Sequence, residues 1–187
     1  KLNTWCLYFI GQPILDIESK KEPFWITSYL SKQLFMSQYH LNEKNIEFYL
    51  NKIYTSKIKW IHAYPSTLNL LVDLAKRKNL SHLTKYINII TCSSEKIFDY
   101  QKINIENFFK CKIRDLYGLT EGVVNIFQCE KGTYHIDESY SYVELIKKES
   151  SNEYKIIGTS YHNKAFPLIR YDTGDSCILY NVDFKCT

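Results

Sequence analysis

The chain has 187 residues, enough to bury one substantial core and therefore one domain or two lobes. Hydrophobic residues make up 45% and aromatics 16%, and 24 Lys+Arg against 20 Asp+Glu leave a net charge of only +4, dispersed along the chain rather than gathered in a stripe. That balance excludes the footprint of a nucleic-acid binder. It also contains no membrane span, which needs about 18 consecutive apolar residues, and no charged-then-apolar signal segment.

Residues 5–10 (Trp-Cys-Leu-Tyr-Phe-Ile) already read as a buried strand, ended by Gly11-Gln12-Pro13. With Lys1 in place of a methionine, the start reads as a cut inside a domain. A loop at 20–23 precedes an aromatic run, 24–36, that no period assigns to helix or strand. Asn42 fits a helix N-cap, with Ile46, Tyr49, Leu50 and Ile53 on one face. A strand is expected over 58–63, and Pro65 suits the first turn of a helix whose Leu68, Leu71, Val72 and Ala75 share one side. Next come a strand at 87–91, a helix over 99–109 with Ile105, Phe108 and Phe109 inward, and a strand at 112–116. Three strand–helix alternations argue for an α/β fold, a parallel sheet covered by helices. The texture then changes. Short strands at 143–146 and 154–158 flank a polar 148–153 turn, and a further strand is expected over 177–182. The division expected is an α/β lobe at 1–129 and a small β-rich lobe at 130–187.

The six cysteines (6, 92, 111, 129, 177 and 186) form no close pair and have no secretory context, so they read as reduced thiols of a cytoplasmic protein. His40, His62, His82 and His162 do not cluster and read as surface or satisfied core residues.

Three strand-end loops carry the chemistry. Asp115-Leu116-Tyr117-Gly118-Leu119-Thr120-Glu121-Gly122 places an aromatic face, a close-approach glycine, a hydroxyl and a carboxylate within five residues. Tyr117 offers a surface for a purine, Thr120 a donor for phosphate, and Glu121 a hard oxygen for Mg²⁺. The same residues also make an ordinary turn with an N-cap threonine and a first-turn glutamate, and both readings stand at this level. Fifty residues on (171 minus 121), Arg170-Tyr171-Asp172-Thr173-Gly174-Asp175 offers a carboxylate suited to two ribose hydroxyls, or simply a hairpin turn. Thr91-Cys92-Ser93-Ser94-Glu95-Lys96 is the third.

In this order the loops resemble those of the acyl-adenylate-forming enzymes, closest to the phenylacetate–coenzyme A ligase and capsular polysaccharide biosynthesis branch. The likeness also takes in Ser37-Gln38-Tyr39-His40-Leu41, Ala63-Tyr64-Pro65-Ser66, 129–135 and 163–175. It implies part of an N-terminal domain that uses ATP and Mg²⁺ to activate a small carboxylic acid, with coenzyme A as the thiol acceptor. Carried over, Tyr117 would stack on adenine, Gly118 would let the backbone come close to the nucleotide, and Ser94 with Glu95 would line the base. Thr120 would contact the α-phosphate, Glu121 would hold Mg²⁺, Asp175 would grip the ribose, and Tyr64 would border the acyl pocket.

The upstream phosphate loop and the C-terminal domain with its lysine have no counterpart here. The resemblance therefore implies an inactive fragment, whose partners include those missing segments of the same protein. It also implies candidate zinc ligands in Cys129, His135 and Cys186; the same Cys129 and His135 read equally as half-buried structural residues. Two other functions are weighed: a non-catalytic binding module that keeps the fold, and a nucleotide-sugar transferase. The second would need a metal-binding Asp-x-Asp, which the sequence lacks.

Overall fold

The computed structural model describes residues 4–180. Chain order is β1 (Cys6–Ile10), β2 (Trp25–Ser28), β3 (Gln33–Ser37), α1 (Ile46–Thr55), β4 (Trp60–Ala63), α2 (Pro65–Arg77), a short 3-10 turn (Ser81–Thr84), β5 (Ile89–Ser93), α3 (Asp99–Phe109), β6 (Ile113–Gly118), β7 (Asn125–Gln128), β8 (Tyr134–Ile136), β9 (Ser141–Lys147), β10 (Glu153–Ser160) and β11 (Tyr171–Ile178). The larger sheet runs β2-β3-β1-β4-β5-β6-β7-β8 and the smaller β11-β10-β9. The α/β class with a β-rich second part is as expected. Among the described residues, no helix is long and apolar enough to cross a membrane.

By its internal contacts the chain divides into two compact units, Lys1–Asp115 and Leu116–Thr187. That division falls inside β6, earlier than the 129/130 change in sequence texture: Leu116, Tyr117 and Gly118 pair antiparallel with β7, which pairs in turn with β8.

In the first unit β1 lies parallel to both β3 and β4, and β4 parallel to β5. Alternate side chains of these strands, Leu7, Phe9, Leu34, Met36, Ile61, Ala63, Ile90 and Cys92, are no more than 1% exposed and form one core with the helices. The period of two puts every second residue on that face. The helices answer it at their own period, with Ile46, Tyr49, Leu50 and Ile53 from α1 and Leu68, Leu71, Val72 and Ala75 from α2 all buried. Each such aliphatic contributes roughly 1.5–3 kcal/mol by leaving water. From α3, Ile105 and Phe109 are buried while Phe108 is only partly so.

Three local readings change. The unassigned 24–36 run is the antiparallel hairpin β2–β3, whose turn places Lys32 at φ +54. Asn42 caps the turn before the helix: its Oδ1 accepts the amides of Lys44 and Asn45, while α1 starts only at Ile46 with Asn45 at its N-cap. The strand expected over 177–182 runs instead over Tyr171–Ile178; residues 181 and 182 lie outside the described chain.

Two buried thiols give the first unit a pH signature. Burial pushes Cys6 and Cys92 up from 9.0 to about 12. The unfolded chain ionises its thiols above pH 9 while the fold keeps them protonated. Their stabilising contribution is thus complete below pH 9 and is lost as pH rises toward 12. Cys92 is fully buried, so between pH 8 and pH 10 the wild type should lose about 1 kcal/mol more stability than a Cys92→Ala variant. Urea melts at the two pH values measure this. Equal losses would mean that Cys92 is not desolvated.

Candidate functional site

In the first unit, loops leave the carboxyl ends of the parallel strands, the edge where α/β sheets place their ligands. Tyr39 Oη donates to the Gly11 carbonyl (2.6 Å), and Thr67 Oγ1 donates to Gln38 Oε1 (2.8 Å). Tyr64 lies against Gly11, where an added Cβ would come 2.8 Å from the Tyr64 hydroxyl. These contacts join the loops after β1, β3 and β4.

β5 ends at Ser93, and the loop after it holds Ser94 and Glu95. Ser94 is exposed and left-handed, at φ +68. Ser93 Oγ lies 3.2 Å from His62 Nε2, and His62 Nδ1 lies 2.8 Å from Thr91 Oγ1. His62 is thus a satisfied interior histidine, and burial lowers its pKa. The Glu95 carboxylate is already engaged: Oε2 accepts the Ser66 amide (3.1 Å) and Oε1 the Ser66 hydroxyl (2.9 Å).

In the second unit the turn after β6 closes where the Gly122 amide donates to the Leu119 carbonyl (3.0 Å), with Gly122 at φ +69. This lifts Thr120 and Glu121 into solvent at the tip. Residues 172–175 are not a free loop. Lys155 pairs with Ser176 and Ile157 with Asp172, so Thr173, Gly174 and Asp175 all oppose the single Ile156, as a bulge in β11. Thr173 Oγ1 donates to the Ile156 carbonyl (2.9 Å) and accepts the Asp175 amide (3.1 Å), while Asp172 Oδ1 accepts the Gly174 amide (3.0 Å). That amide is the main reason Asp172 titrates below its ordinary value. Gly174 takes φ +76, which a side chain would resist.

The bulge aims Asp175. Tyr117 Oη donates to Asp175 Oδ2 at 2.8 Å, joining two motifs 58 positions apart. Burial first, and the Asp175 charge besides, push the Tyr117 phenol up to about 12, so it remains a donor. A second, longer bond runs from Tyr171 Oη to Glu121 Oε1 at 3.5 Å. Of the candidate residues, Tyr117 and Asp175 are thereby paired with each other, while Glu121 is tied to Tyr171. Tyr171 and Thr173, which hold two of them, are not singled out by the sequence. The only signal for them is that both sit in the same short motif.

Cys129 lies at the β7–β8 turn, where its amide donates to the Thr133 carbonyl (2.9 Å), and His135 stacks on Phe127 with centroids 5.7 Å apart. Cys186 falls outside the described residues. Among the described residues no group of three His, Cys, Asp or Glu side chains could hold a metal, so the zinc set finds no support.

Parallel strands followed by an antiparallel β unit give a fold shared with part of several solved coenzyme A ligases. 2-Hydroxyisobutyryl-CoA ligase, solved in an open conformation with 2-HIB-AMP and CoA, matches at TM-score 0.63 and 13% identity over 94% of this chain and 43% of that one. The anthranilate CoA ligase AuaEII, in complex with anthranoyl-AMP, matches at 0.55 and 10% over 84% and 32%. In sequence the chain is similar to Protein CapK of Staphylococcus aureus, at 28% identity over 171 residues, 91% of this chain. It spans only 38% of CapK. No family model matches.

Proposed function

We propose that this chain carries nucleotide-handling residues of an ATP-dependent acid–thiol ligase. In that reaction a carboxylate attacks the α-phosphate of ATP to give an acyl-adenylate and pyrophosphate. A thiol such as coenzyme A then takes the acyl group and releases AMP. The branch it resembles points to a role in capsular or surface polysaccharide synthesis. The observation that carries the reading is the Tyr117–Asp175 hydrogen bond, because it fixes a carboxylate beside a purine-sized aromatic face.

The chemistry needs no protein nucleophile, only positioning and neutralised charge. Tyr117 keeps one Asp175 oxygen engaged and leaves the other for a ribose hydroxyl, and the part of its ring not packed on the Val123, Val124 and Ile156 core is the surface for adenine. Thr120, at the exposed tip, donates to the α-phosphate. Glu121 is the residue to hold Mg²⁺, an ion that takes one or two protein carboxylates and completes its shell with phosphate and water. Mg²⁺, when bound, offsets the phosphate charge. The adenine-side role of Ser94 rests on the resemblance alone.

Nucleotide binding tests the reading. In the intact protein Asp175→Ala should weaken ATP by roughly 1.5–3 kcal/mol, the loss of a charged hydrogen-bond partner. Tyr117→Phe, which keeps the ring and loses only the brace, should cost about 1 kcal/mol. Dissociation constants unchanged in both variants would leave residues 117 and 175 as turn and strand structure, and the ligase reading would fall with them.

A further inference from the structure

The Glu95 carboxylate spends both oxygens on one residue 29 positions away, Ser66 (95 minus 66). Ser66 is the second residue of α2, where backbone amides have no partner inside the helix. α2 has no side-chain cap of its own: Tyr64 stands at the N-cap, Pro65 follows, and the first turn carries no acidic residue. The missing cap is supplied from the neighbouring strand end, by a carboxylate placed where the helix dipole favours negative charge.

We infer that Glu95 is a positioning residue, a latch that fastens the Ser94-Glu95 loop to the start of α2. It rests on the ligase reading in one respect: that reading makes 94–95 the adenine-side loop and Tyr64-Pro65-Ser66 the acyl-side loop. The latch therefore ties the placement of one substrate to that of the other. Two features fit this better than direct contact with the base. The carboxylate has both oxygens engaged, and Ser94 beside it holds a left-handed backbone that a second anchor must stabilise. The other anchor is the Ser93–His62 contact, on the opposite side of Ser94 from Glu95.

The test has two arms in the intact protein. Hydrogen exchange without ligand reads the latch itself. Glu95→Ala should speed exchange at the Ser66 amide at least tenfold, and Glu95→Gln, which still offers an acceptor, should recover most of that protection. Steady-state kinetics read the coupling. Glu95→Ala should raise KM for ATP and for the acid together by about tenfold, Ser66→Ala by less, and the double variant no more than Glu95→Ala alone. A rise in the ATP KM alone, with Ser66→Ala silent, would place Glu95 on the nucleotide and overturn the latch. Unchanged exchange at Ser66 would overturn it whatever the kinetics. A wild type with no acid-dependent turnover would sink the ligase reading while the exchange arm still judged the latch.

Discussion

Gly158→Ala should cost the second unit about 3 kcal/mol, at the upper end for forcing an extra methyl into a filled interior. Gly158 lies in the middle of β10, buried, where that strand passes over Val123 and Val124. A Cβ there would run into the Val123 carbonyl oxygen and stand 2.8 Å from Val124 Cγ2 and 2.9 Å from the Val123 carbonyl carbon. Backbone cannot swing aside as a side-chain tip can, so β10 must shift and disturb its ladders with β9 and β11. Gly174→Ala is the control: it has nothing within 4 Å and suffers only the strain of φ +76, roughly 1–2 kcal/mol. Tryptophan fluorescence would miss the effect, since Trp5, Trp25 and Trp60 all lie in the first unit. Amide exchange along β10 reads it directly. Wild-type protection in Gly158→Ala would show that the strands are not this close.

The first unit is largely legible in the sequence because its elements announce themselves by period. Ile46, Tyr49, Leu50 and Ile53 can share a face only in a helix, and Pro65 marks the next start. The β2–β3 hairpin is not legible, because its turn, Tyr29-Leu30-Ser31-Lys32, offers neither a glycine nor an Asn-Gly pair. Lys32 takes the positive φ that such residues usually supply. The β11 start escapes for the opposite reason. Asp172-Thr173-Gly174-Asp175 has all the chemistry of a turn, and that chemistry is used, but inside a strand as a bulge.

For the candidate site, residue types are readable and partnerships are not. That Tyr117 meets Asp175 depends on the β10–β11 register and the residues extra to it, which no local pattern reports. Glu95 shows the same limit from the other side. A carboxylate in a strand-end loop reads as a ligand group, and only the fold reveals that Ser66 donates to both of its oxygens.

Glu121→Gln should reduce acid-dependent exchange of pyrophosphate into ATP by the intact protein about 10²–10³-fold, the range for removing one preorganised electrostatic contact. The substitution keeps the volume and removes the charge. Glu121 is exposed, and the amide oxygen of a glutamine can still accept from the Tyr171 hydroxyl, now 3.5 Å from Oε1. Folding stability should therefore stay within about 0.5 kcal/mol of wild type, as for surface changes away from packed features. What changes is the hold on a hard cation, for which a neutral amide is a much weaker ligand than a carboxylate. The deficit should be deepest at limiting Mg²⁺ and shrink as the ion is raised. That Mg²⁺ dependence separates loss of a metal ligand from loss of a structural contact, which added ion would not repair. If Glu121→Gln exchanges pyrophosphate like wild type at limiting Mg²⁺, Glu121 is not the metal-holding residue, and the exposed tip of the β6–β7 turn is ordinary turn chemistry.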